Sequence, residues 1–181
     1  QKFDVLKAGL SVIKNEVLIN STKADPEELD KYMRLSKDYN ASLMCLTMDK
    51  CGIPQDVERR MEFAMKIVEK AVEHDFDLAK IYIDPVLFPI NVDQKQPAYM
   101  FDIFTQIKMI SDPPPHRNVG LSNFSQGRKE KRLLARTFLT MGISYGLDAA
   151  VMDVLDKELM DAAISAEVIM NKHVYTEDYL I

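Results

Sequence analysis

Five polar residues of the 181-residue chain stand where chemistry could be done: Asn20, Thr47, Asp84, Asn123 and Asp153. Each closes or follows a short apolar run, the place where parallel α/β folds gather their ligand-binding groups. Asn123 is the most versatile of them, because an amide donates and accepts at once, as a heterocycle with mixed ring nitrogens and carbonyls demands. It lies in Val119 to Gly127 (VGLSNFSQG), where apolar residues run into Ser122, Asn123, Ser125 and Gln126. The same Ser, Asn and Gly residues also favour an ordinary turn. Polar residues, moreover, often end strands without binding anything. On residue type alone both readings stay open.

The elements that must carry these groups alternate. Apolar strand-like runs start near residues 17, 41, 80, 118 and 148, with helical patterns between them. Gln1 to Leu10 shows helical spacing of Phe3, Leu6 and Leu10, with Gly9 able to close it. Asp25, Pro26 and Glu28 announce a helix by cap, first-turn proline and third-position acid, with Leu29, Met33 and Leu35 on its buried side. From Asp56 to His74 the residues Val57, Met61, Ala64, Met65, Val68, Ala71 and Val72 recur at helical spacing, the strongest periodic signal in the chain. Pro85 ends the strand-like run KIYID, and a long apolar connection follows it. Further helices are predicted over 99–110, 130–145 and 157–170. Leu133, Leu134, Phe138, Leu139 and Met141 are offered for packing by the second of these, and Gly146 is offered as its C-cap. Strand–helix alternation with nearly continuous apolar strands is the pattern of a parallel sheet covered by helices, so the fold class is α/β.

Composition narrows the function classes. Lys and Arg total 23 against 28 acids, a formal net charge of −5, without the clustered basic excess of a nucleic-acid footprint. The local run Arg128, Lys129, Lys131, Arg132 reads either as a solvated loop or helix start, or as a contact for an anionic ligand tail. Cys45 and Cys51 share no metal-ligand spacing with any His, which favours reduced thiols and a cytoplasmic setting. His74, His116 and His173 read as surface or capping residues, and no enzyme-bound metal is implied. No run approaches the ~18 apolar residues of a membrane span, and the N-terminal residues carry no signal-peptide pattern. The eleven methionines are scattered as core fillers would be.

Six blocks together carry a resemblance: LINSTK (18–23), LTMDKCGIP (46–54), YIDPVLFPINV (82–92), VGLSNFSQG (119–127), ARTFLTMGISYGLDAAVMD (135–153) and AEVIMNKHVY (166–175). In this order they resemble the pterin-binding methyltransferases, and more narrowly the methyltetrahydrofolate:corrinoid/iron–sulfur protein methyltransferase group. The resemblance implies a TIM (β/α)₈ barrel of the dihydropteroate-synthase-like type. Residues 1–181 would supply its C-terminal portion, about five βα units of one pterin-binding domain, without the first three strands and the pterin-holding aspartate of the third. It also implies transfer of the N5-methyl group of 5-methyltetrahydrofolate to Co(I) of a corrinoid (cobalamin) carried by a partner protein, leaving tetrahydrofolate. The family's usual homodimer is expected too.

By the same resemblance, Asn20 and Asp84 would hydrogen-bond the pyrimidine part of the pterin and Asn123 would be the catalytic group nearest N5. Ser122 and Gln126 would shape the N5 side, with Met48 and Ile90 as apolar contacts. Lys131 would meet the anionic glutamate tail or the partner protein. Asp153 joins the site residues on its place at the end of the fifth strand-like run. A carboxylate suits a 2-aminopyrimidine edge because it can accept two hydrogens, while an amide stays bonded through a protonation change. A tertiary amine is a poor leaving group, so a proton or a strengthening hydrogen bond at N5 lowers the barrier. Two positions depart from the family: Lys23 stands where relatives usually have Asn, and Ala135 where they commonly have Asn. Competing readings are a dihydropteroate-synthase-like enzyme and a folate-binding barrel fragment that catalyses nothing.

Overall fold

The protein is described here from a computed structural model, which covers residues 3–125, 127 and 129–180. Its strands are β1 (Leu18–Lys23), β2 (Ser42–Leu46), β3 (Ile81–Asp84), β4 (His116–Gly120) and β5 (Ala149–Val151). The helices are α1 (Phe3–Leu10), α2 (Pro26–Asp38), α3 (Val57–Glu73), α4 (Gln96–Ile107), the single turn α5 (Leu121–Phe124), α6 (Lys131–Ser144) and α7 (Lys157–Ile169). All neighbouring strands pair parallel in the order β1-β2-β3-β4-β5. Sequential parallel strands joined by right-handed helical crossovers put the helices on one face of the sheet, the construction of a TIM barrel wall.

Burial agrees with this arrangement. Ile19, Leu43, Cys45, Ile81, Ile83 and Val119, on the helix-covered face, are buried with the inward residues of α2, α3 and α4 in one hydrophobic core. Alternation along each strand then assigns Asn20, Met44, Leu46, Tyr82, Asp84, His116, Asn118 and Gly120 to the opposite face, the side that lines a barrel's interior.

Local chemistry explains where the helices begin. The Asp25 and Asp56 carboxylates accept from the Glu27 and Arg59 N–H groups, and Asp156 accepts from Leu159, so α2, α3 and α7 start on side-chain caps. Phe63 and Ile67 of α3 are buried, each stabilising the fold by about 1.5–3 kcal/mol. At the far end of the sheet, Arg117 binds β4 to β5 through Asp148 and the Gly146 carbonyl.

Several expectations change in detail. α1 continues through Gly9, and α4 starts and ends three residues earlier than its expected range. β5 has three residues, fewer than its apolar run suggested. Met65 and Val72 of α3 and Leu133 and Met141 of α6 are exposed, since they sit at the margins of their helices' apolar stripes. β4 ends at Gly120, so Ser122 and Asn123 belong to the helical turn α5 instead of a strand-end loop.

Candidate functional site

Asp84, the last residue of β3, is a buried carboxylate held at both oxygens. Its Oδ2 accepts from Asn118 Nδ2 at 2.9 Å, and its Oδ1 accepts from the Val86 N–H at 2.8 Å. The Gly120 N–H adds a smaller stabilisation of its charge. Val86, a β-branched residue, takes φ 63° as it makes this contact. A left-handed backbone at such a residue costs of the order of 1–3 kcal/mol, a strain typical of positions that present a group for a purpose. Burial pushes the Asp84 carboxyl up to about 6, while the N–H donors of Val86, Asn118 and Gly120 pull it back down. It is therefore mainly ionised at neutral pH and close to titrating.

Asn123 reaches the same place by another route. A β-carbon on Gly120 would lie 3.1 Å from Asn123 Nδ2, so the amide occupies the space that the missing side chain leaves. Gly120 thus bears on both groups: its N–H favours the Asp84 charge, and the Asn123 amide lies against the space a β-carbon would need. This close approach is the physical use of glycine at that position. The long β3–α4 connection, residues 85–95, packs against α5, with the Ile90 N–H donating to the Phe124 carbonyl at 3.0 Å. Ile90 is half-buried there, next to the turn that carries Asn123.

Other expected residues fall around this centre. A cavity of about 390 Å³ is lined by Ser122, Asn123, Lys131, Ala135 and Asp153, with Arg132 and Asp156 also on its wall. Its four charged side chains balance, two basic and two acidic. Asp84, Asn20, Met48 and Ile90 are not among the residues lining it. Met48 is half-buried at the end of β2, where its carbonyl accepts from the Ala24 N–H at 2.8 Å and ties β1 to β2. Asn20 is exposed on β1 and pairs in register with Met44 and, through it, with Tyr82. It therefore stands two residues behind Asp84 along the sheet and two strands away, a separation of roughly 10–12 Å from ordinary strand spacing.

The five polar positions thus do not form one level. Asn20 sits before an irregularity in the β1–β2 register, and Thr47 is fully buried, its hydroxyl without a partner among the described residues. Asn123 and Asp153 stand beyond the strands. Gln126 and Arg128 lie outside the described residues. The histidines are bonded to carboxylates, His74 to Asp30, His116 to Asp148 and His173 to Glu167. Among the described residues no three His, Cys, Asp or Glu side chains form a metal site, and no helix is long and apolar enough to cross a membrane.

Asn118 was not anticipated. It is 2% exposed, facing the barrel-interior side beside Asp84 and 3.5 Å from Met44 Sδ. Placing the strand start near residue 118 conceals the signal. With β4 starting at His116, the period-two set His116, Asn118, Gly120 points the same way as Asp84.

A family model for pterin binding enzymes matches residues 1–154. The chain belongs to the pterin-binding enzyme family. Five consecutive βα units with helices on one side of a parallel sheet are accordingly part of that family's barrel fold. Among curated proteins, the methylcorrinoid:tetrahydrofolate methyltransferase of Eubacterium limosum is 28% identical over 171 residues, covering 92% of this chain and 62% of the relative's length. Methionine synthases of Mycobacterium leprae (strain TN) and Mycobacterium tuberculosis (strain ATCC 25618 / H37Rv) are 29% and 27% identical over 160 and 161 residues. Those matches cover 82% of this pterin-binding chain and 13% of each synthase.

Proposed function

We propose that this chain transfers a methyl group between N5 of tetrahydrofolate and the cobalt of a corrinoid carried by a partner protein. The observation that carries the reading is the Asp84–Gly120–Asn123 linkage. It sets a carboxylate that can accept from a pyrimidine edge and an amide that can serve N5 against the same backbone segment. The relative named for methylcorrinoid and tetrahydrofolate supports the same pair of substrates.

In this account Asp84 accepts from the amino-pyrimidine edge, Asn20 bonds the ring from β1, and Met48 and Ile90 give apolar contact. Ser122 flanks Asn123, and Asp153 bounds the cavity at the end of β5. Lys131, the first residue of α6 on that cavity, meets the glutamate tail. The corrinoid supplies or receives the methyl group.

The direction of transfer decides which half of the Asn123 amide is used. When the methyl leaves N5 for the electron pair of Co(I), both electrons of the carbon–nitrogen bond stay on nitrogen, N5 takes up a proton from water, and the Asn123 N–H stabilises the developing charge. When the methyl arrives from a methylcorrinoid, N5 attacks with its lone pair, the carbon–cobalt electrons stay on cobalt, and N5 passes its proton to water while the Asn123 carbonyl accepts from the N5–H. One side chain serves both directions because it is donor and acceptor together.

Methyl exchange between methyltetrahydrofolate and reduced cobalamin, followed by cobalamin absorbance, tests the proposal. Wild type should turn over and Asn123→Ala should lose about 10²–10³ in rate, the usual effect of removing one preorganised donor. Equal rates would remove Asn123 from N5. Tight folate binding with no exchange in either direction would favour a non-catalytic binding role.

A further inference from the structure

We propose that Asn118 is the positioning residue of this site, clamping Oδ2 of Asp84 while the Val86 N–H holds Oδ1, so that the carboxylate is fixed with its remaining lone pairs turned to a ring donor. The bond to a folate ring rests on the function proposed above; the clamp itself does not. Asn118 and Asp84 retain 2% and 7% of their accessible surface, so neither exchanges this contact freely for water. Turning the amide over would put its oxygen against a carboxylate oxygen, so the donor orientation is the one the pair can hold.

The placing of the two donors has a specific consequence. An ionised carboxylate offers about four lone-pair directions, and Asn118 and Val86 take one on each oxygen. One direction is then left on each oxygen for ring hydrogens, and specificity for the ring depends on Asn118 keeping the carboxylate from rotating.

Removing the Asn118 donor also disfavours the charged form, since a hydrogen bond to an anion stabilises it. Titratable groups on this face are Tyr82 of β3, His116 of β4, which is bonded to Asp148, and Lys23 of β1 in the same register row. Asp93 stands on the connection that covers the sheet end. β2 contributes Met44 and Leu46, which do not titrate.

The test is carbon-13 NMR titration of the aspartate carboxylates in the full chain, wild type against Asn118→Leu, with Asp84→Asn identifying the signal. The Asp84 midpoint should rise in Asn118→Leu, and tetrahydrofolate binding should weaken about 10-fold or more, increasingly so from pH 8 to pH 6. Asn118→Ser, a smaller change that keeps a hydroxyl donor, should lie between the two and serves if the leucine variant does not fold. An unmoved midpoint in a folded variant that lacks the amide overturns the clamp. If wild type binds no tetrahydrofolate while the midpoint still moves, the ligand reading fails and the clamp stands.

Discussion

The carboxyl of Asp84 gives the protein a pH signature opposite to that of most acids. In water an aspartate titrates at 3.8; burial in this site pushes Asp84 up to about 6. The difference of roughly two units corresponds to about 3 kcal/mol at 1.36 kcal/mol per unit. Because the folded-state value is raised, the fold binds this proton more tightly than the unfolded chain does. The ionised group is thus a full penalty above pH 6, and the penalty lifts as pH falls from 6 toward 3.8. By pH 4.5 roughly 2 kcal/mol of it should be gone, since the folded carboxyl is then mostly protonated and the unfolded one mostly not. Urea unfolding of wild type and Asp84→Asn at pH 7.5, 6.0, 5.0 and 4.5 isolates the term, because the other acids cancel between them. Wild type should gain about 2 kcal/mol relative to the variant between the first and last of these. Parallel stability curves would refute the reasoning, because they would mean that Asp84 titrates alike in the folded and unfolded chains.

Other positions give further outcomes. Gly120→Ala places a β-carbon 3.1 Å from the Asn123 amide nitrogen, and a displacement of a few tenths of an ångström should slow methyl exchange about 3- to 10-fold with little change in thermal midpoint. An unchanged rate would show that the amide need not sit there. Lys131→Ala should weaken methyltetrahydrofolate about 2- to 5-fold, as expected of an exposed ion pair, and leave a tail-less tetrahydropterin unaffected. Equal loss for both ligands, or loss for neither, would separate Lys131 from the tail. Arg60 is fully buried, with Nη2 on Gln96 Oε1 and Nε on the Pro54 carbonyl at 2.8 Å. Arg60→Met strands both acceptors and should cost about 2 kcal/mol in urea unfolding. No loss would show that the guanidinium's own desolvation cancels its bonds.

How much of this was legible depended on how local each signal is. α3 could be read in full because Asp56 caps it and Met61, Ala64, Val68 and Ala71 repeat along its own chain. The strand–helix order was equally plain and carried the parallel α/β class, while the barrel type came only with the resemblance of the six sequence blocks. Register was not legible, since the irregularity between Asn20 and Thr22 arises only when β1 meets β2. Nor was the pairing of Asn20 with Met44 and of Met44 with Tyr82, which sets Asn20 two residues behind Asp84. The turn α5 was hidden for a different reason: four residues are too few to show a helical period, so Asn123 read as a strand end or a loop. Asn118 went unnoticed because its meaning is a partner 34 residues away. No pattern within RNVGLSN distinguishes a buried amide facing a carboxylate from one facing solvent.

The central claim is that Asp84 and Asn123 hold one pterin between them. The structure of the chain with tetrahydrofolate bound measures it directly, through the distance from the Asn123 amide to N5. The account predicts a hydrogen-bonded distance of about 2.7–3.2 Å, with the pyrimidine edge on the free edge of the Asp84 carboxylate. A ring seated away from both groups, or with N5 out of reach of Asn123 while the folate is fully bound, would contradict it.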